Sequence, residues 1–215
     1  MDPTLLDLDA VFIRLLGTSE ESLGPLLAVL LPRLLALLSA PHEGVGVRNK
    51  TLEILTHINS CVRTRPVPLP FPSLLDLLRG DNAPSSFPVI RHYTGLAFSR
   101  LSHGDMDAAT PPMLHLSSFP EGPPRDFVSS LVLRALPHVQ IPPEPVARAS
   151  KFTFVSDPLS LDLVGSLMVD GMLLVAGGTG IEEGRPPPGM SVKSWARALG
   201  ATPVSIDSWA RGDPS

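Results

Sequence analysis

From Val47 to Val62 the apolar residues fall on one line. Val47, Thr51, Ile54, Leu55, Ile58 and Val62 recur at the three- and four-residue steps that place side chains on one face of an α-helix. Asn49, Lys50 and Glu53 lie off that line. A helix with one such stripe must bury it against a neighbour. The run just before it, LGPLLAVLLPRLLALLS over Leu23–Ser39, is leucine nearly all round, so it needs cover on both faces. A helix beginning at Ser19 or Glu20 and ending near Ser39 is expected, with Pro32 inside it. A mid-helix proline removes one backbone bond and crowds the preceding turn, at a cost of up to ~3 kcal/mol in a free helix.

The same punctuation continues along the chain. Leu5, Leu8, Phe12 and Leu15 are helically spaced, with Thr4 as a candidate cap and Gly17 as a stop. The segment RTRPVPLPFPS (Arg63–Ser73) cannot continue a helix. Ser73 is expected to cap LLDLLRG, with Gly80 ending it, and Pro88 suits the first turn of VIRHYTGLAFSRL. A weak helix near Asp105–Leu116 is expected to be disturbed by Pro111 and Pro112. Phe127, Leu131 and Ala135, widened by Val128, Val132 and Leu136, predict another helix starting near Pro124, and Leu159–Val175 predicts one more. No hairpin signal appears, so the fold class is all-α, with short proline-marked turns joining antiparallel helices. The organisation expected is an α-solenoid of HEAT-like helix pairs over 1–140, a stiff Pro-rich linker over 141–156 and a further helix of the solenoid over 157–176. A Gly/Pro-rich, largely irregular tail over 177–215 follows, with a short helix near 191–199.

Composition narrows the function. The formal net charge is −4, which argues against a nucleic-acid partner. Cys61 is the one cysteine, so no intrachain disulfide forms, in keeping with a reducing compartment. Met1-Asp2 opens the chain without a basic leader, so a secretory signal is not expected. The two most apolar runs, Leu23–Ser39 and Leu161–Gly177, are broken by charges or proline. They read as buried helices short of a bilayer span, so no membrane insertion is expected.

No catalytic constellation emerges. The histidines (His42, His57, His92, His103, His115 and His138) include no pair one helix turn apart that could share a metal, and no HExxH occurs. Asp105 and Asp107 read as a solvated cap, and Cys61, near a helix C-terminus, as an inert thiol. The sharpest alternative is a nucleotide-binding enzyme using Gly177–Gly180 in LLVAGGTGIEEG. Glu182 and Glu183 repel an anion, and the following RPPPG forbids the helix whose N-terminus a phosphate needs. The GRPPPGM stretch could enter an aromatic groove as a polyproline segment, but reads better as a plain linker. No catalytic, cofactor-binding or metal residue is assigned, and no cofactor is expected.

Glu43, Val47, Arg48, Thr51 and Leu55 match the second helix of a HEAT repeat: an acid at the helix start, two residues facing the partner helix, a small residue permitting close approach, and an arginine that can bridge to an acid. LLPRLLALLS then resembles the first helix of that repeat. Over Leu8–Leu78 the chain closely resembles the N-terminal region of the HEAT-repeat proteasome adaptor and scaffold family. The likeness continues in register through Leu101, Leu136, KFTFVSDPLSLDLVGSLMVDGMLL and PPPGM. It departs from the family pattern in two extra residues around Gly46, expected to delay that helix, and in Ser60 and Cys61, which replace basic residues after HIN. Family members are far longer. The resemblance implies a non-enzymatic adaptor that associates with proteasome regulatory and core particles and serves assembly quality control. It implies a cytoplasmic and nuclear location, with endosome or ER association. An unrelated helical-repeat transport carrier is the other reading. No residue is singled out for partner contact.

Overall fold

A computed structural model describes residues 3–39, 44–80 and 86–176. Among these residues the chain is all-α, with no strand, and forms two compact units that divide between Arg100 and Leu101. The division falls inside the region 1–140 expected to be one run of repeats.

The first unit contains α1 (Pro3–Leu16), α2 (Glu20–Ser39), α3 (Val45–Thr64), α4 (Phe71–Leu77) and α5 (Phe87–Ser99). The buried residues of α3 are Val47, Thr51, Ile54, Leu55, Ile58 and Val62, the stripe read from sequence. They meet the buried leucines of α2, among them Leu27, Leu31, Leu34 and Leu35, each almost wholly excluded from solvent. Burying one such side chain contributes roughly 1.5–3 kcal/mol, so two facing stripes outweigh the cost of Pro32, and α2 runs through it unbroken.

Pairing directions follow from named contacts. Arg48, in the first turn of α3, donates to the carbonyl of Leu38 at the end of α2, 3.4 Å away. At the other end of the pair, a Cβ on Gly24 of α2 would stand 3.3 Å from Pro68, so the chain leaving α3 returns to the start of α2. The two helices are therefore antiparallel. Phe71 of α4 packs on Phe98 of α5, ring centroids 5.7 Å apart, which makes that pair antiparallel too. By contrast α1 and α3 run in the same sense: Asp9 pairs with Lys50 at 2.8 Å, and Phe12 meets His57 edge-on at 5.6 Å. Likewise, the Tyr93 hydroxyl donates to the Leu55 carbonyl at 2.7 Å, and Arg100 to those of Val62 and Val67 at 2.6 Å each. So α1, α3 and α5 form one layer, and α2 and α4 form the other, the two-layer scheme of helical repeats.

Several local expectations change. By length and composition α2 could cross a membrane, because it begins at Glu20, before the leucine run, and Pro32 does not end it. The expectation that this run is too short for a span is corrected, while its leucines are packed on α3 and α4. Arg48 reaches a helix-end carbonyl instead of an acid, where a cation suits the negative end of the helix dipole. Glu43 lies outside the described residues. Gly46 sits within α3, so the helix is not delayed past it. Likewise α1 begins at Pro3, before Thr4. Pro72 occupies the first turn of α4, where its missing N–H costs nothing, so that helix starts at Phe71 and not after Ser73.

The second unit contains α6 (His103–Leu114), α7 (Pro123–Ala135), α8 (Pro145–Lys151) and α9 (Pro158–Ala176), with 3₁₀ turns at Leu116–Ser118, Leu136–His138 and Thr153–Ser156. Here α6 starts earlier than expected because Ser102 caps it, its hydroxyl accepting from the Asp105 amide at 3.1 Å. It also runs through Pro111 and Pro112, anchored by the buried Thr110, Met113 and Leu114. The α7 core is Val128, Leu131, Val132 and Ala135, and α9 packs on it through the buried Val164 and Leu167. The stretch 141–156, expected as a linker, holds α8 and a 3₁₀ turn. The tail 177–215, with the helix expected near 191–199, lies outside the described residues.

Candidate functional site

In the second unit an open groove of about 590 Å³ is lined by side chains including Leu136, Val139, Ile141, Phe152, Val164 and Met168. Its size lies within the range of small-ligand and peptide sites. One wall is the segment Gln140–Lys151, which carries α8, and its shape depends on α6. The Asp107 carboxylate accepts from the Gln140 amide at 2.7 Å and from the Lys151 ammonium at 2.7 Å to each oxygen, and Lys151 also donates to the Gln140 carbonyl at 2.8 Å. One carboxylate on α6 thus fastens both ends of the wall. The Lys151 hydrogen bond, then the Gln140 amide, hold the Asp107 carboxyl below its ordinary range. Sequence reading placed Asp107 with Asp105 in a solvated cap. Asp105 does serve the cap with Ser102, whereas Asp107 is this clasp.

Among the described residues Arg148 is the one charged residue lining the groove. Its Nε and Nη2 donate to the carbonyls of Pro142 and Pro143 at 3.2 and 3.0 Å, which fixes the guanidinium against the wall. Nη1 is left without a partner among the described residues.

A second set of ties secures the opposite side. Ser117 donates to Asp157 and accepts from the Ser160 hydroxyl at 2.9 Å, while the Ser117 amide donates to Ser160 at 3.0 Å. The Ser117 hydrogen bond, then that of Ser160, hold the Asp157 carboxyl low. His115 meets Thr153 at 2.8 Å. This network anchors α9 and the Thr153–Ser156 turn beneath the groove.

The remaining sequence candidates fall in separate places. His57 faces Phe12 and lies 3.5 Å from the Cys61 sulfur. Cys61 is half-buried. His92 meets Asn59 at 3.2 Å. His103 and His138 stack with centroids 4.3 Å apart, a meeting of residues far apart in sequence that no spacing rule reveals. No three histidine, cysteine or acidic side chains gather as a metal site among the described residues. His42 and the Gly177–Gly180 loop lie outside them. The sequence reading missed Ser102 as a cap, although the S-x-x-D spacing of Ser102 and Asp105 is a local helix-start signal; the Asp107–Lys151 clasp, 44 residues apart, carries no local signal.

These features define an all-α protein of packed helix pairs whose distinctive site is a surface groove. Comparison with known proteins gives the family. Residues 8–211 match the N-terminal region of proteasome component ECM29, and the chain belongs to that family. It is 28% identical over 228 residues to the human proteasome adapter and scaffold protein ECM29, covering 93% of this chain and 12% of that protein. It is 27% identical over 197 residues to the proteasome-associated protein ECM29 homolog of Drosophila melanogaster, covering 89% of this chain and 10% of that one. The chain therefore spans about a tenth of the length of these relatives. No solved structure matches.

Proposed function

We propose that the chain acts as a non-enzymatic scaffold element of the proteasome system. It binds proteasomes and helps to hold regulatory and core particles together, or links them to other cellular components. The observation that carries this reading is the family match across residues 8–211, together with the adapter and scaffold description of the human relative. The physics of helix pairs supports it. Each pair buries its stripe against its neighbours and leaves its outer faces free for partners. The working location is cytoplasmic and nuclear, with endosome or ER association.

The test is co-sedimentation of the purified chain with purified proteasomes, run beside the full-length human relative. Association of both supports the reading. Association of the relative alone would assign proteasome binding to the other parts of the longer proteins and defeat it for this chain. Tagging the chain and imaging it in cells tests the location; exclusion from both cytoplasm and nucleus would overturn that part.

A further inference from the structure

The geometry points to the groove of the second unit as a docking site for an apolar polypeptide segment that carries one carboxylate, presented by a partner protein. The inference stands apart from the proteasome reading, since it rests on the chemistry of the groove alone. Among the described residues its lining is aliphatic, aromatic and thioether apart from the Ser156 hydroxyl and a single charge, Arg148. The other nearby cation, Lys151, is already taken by Asp107 and the Gln140 carbonyl. Among the described residues no carboxylate lines the groove to neutralise Arg148. The guanidinium is held in place by the Pro142 and Pro143 carbonyls and keeps Nη1 for a ligand, so an incoming carboxylate meets a donor that needs no reordering.

The form of the occupant follows from the walls. Ile141 is 69% exposed and Val155 55% exposed, so the groove is open along its side and its apolar surface continues outward past the rim. A lipid tail or compact ligand is normally enclosed over most of its surface. A peptide can lay alternate apolar side chains into such a groove while its backbone faces water. The charge complement sets the partner apart from an indiscriminate apolar contact: its apolar anchors lie beside one Asp or Glu.

The test is selection of a random-peptide display library on the full chain, followed by fluorescence anisotropy with the enriched peptides. Enriched sequences should combine apolar anchors with an acid, and replacing that acid by its amide should weaken binding about tenfold. Ile141→Asp should abolish binding. Arg148→Glu should weaken it at least as much as the amide peptide does, Arg148→Lys should retain part of it, and Val146→Asp, 82% exposed and outside the lining, should leave it unchanged. Circular dichroism of each variant separates misfolding from lost contact, and the lysine variant keeps the charge test readable if the glutamate variant unfolds. The proposal is overturned if no peptide is enriched, or if enriched peptides bind without regard to the acid or to Arg148. Palmitate occupying the groove in place of peptide, or self-association of the chain that Ile141→Asp removes, would overturn it as well.

Discussion

The N-terminal unit is held by long helices that close apolar stripes on one another. The C-terminal unit adds to its apolar α7–α9 core a short helix and 3₁₀ turns that polar side chains tie in place. In the first, α2 and α3 are each 20 residues long, and the packing of leucine on isoleucine and valine decides the arrangement. In the second, α8 is 7 residues long and buries no residue of its own. Its place is set by Asp107, Lys151 and Arg148 instead. Burial is non-directional and tolerates adjustment, whereas a hydrogen-bonded clasp fixes one geometry and fails when one partner goes. A chain that needs both a stable stack and a shaped surface can divide the tasks in this way.

The sharpest way to break the contrast is to cut into the first unit's core. Ile54→Ala removes a fully buried side chain and should cost about 2–5 kcal/mol, read as a large fall in denaturant midpoint. A loss under about 1 kcal/mol would mean that the α2–α3 stripe does not dominate. Next comes Arg100→Met, which leaves the carbonyls of Val62 and Val67 without their charged donor. Bonds of this kind contribute roughly 1.5–3 kcal/mol, and the loss should appear as faster amide exchange at the end of α3.

In the second unit the expected effects are smaller and depend on pH. Asp107→Asn should lower the melting temperature by less than Ile54→Ala, and should flatten its acid dependence. The sign follows from the depressed carboxyl: its contribution is complete above the ordinary value of 3.8 and is lost as pH falls through the lowered one. Wild type should therefore loosen around the groove below about pH 4, and the Asn variant should show a smaller step in a melting series, the part that remains being that of Asp157. Opposite behaviour is expected of the first unit. Burial raises the Tyr93 phenol above its ordinary 10.0, so its contribution is complete below that value and is lost as pH rises past it, and alkaline titration should open α3 from α5. Smallest of all, Ser102→Ala removes the α6 cap and should cost ~1 kcal/mol, seen as fraying of the first turn in amide exchange.

The same contrast explains what could be read from the sequence. The stripe Val47–Val62 was legible residue for residue because burial leaves a period. The ends of α2 and the first-turn role of Pro88 were legible because caps and prolines act within one turn. The path of α6 through Pro111 and Pro112 was not, since tertiary anchoring at Met113 and Leu114 overrides a local penalty. Neither was the groove: its clasp joins residues 44 apart, and its cation is positioned by proline carbonyls that a sequence reading assigns only to a linker. Polar ties across distance leave no periodic trace, so the unit that depends on them was read least well.

Tyr93 is the one tyrosine in the chain, and its hydroxyl sits at the seam between α3 and α5. A fluorine atom placed on that ring would give a single resonance, free of overlap, from the interior of the helical stack. Its shift would register whether a partner touching the outside of the N-terminal unit is felt within, without any engineered label site.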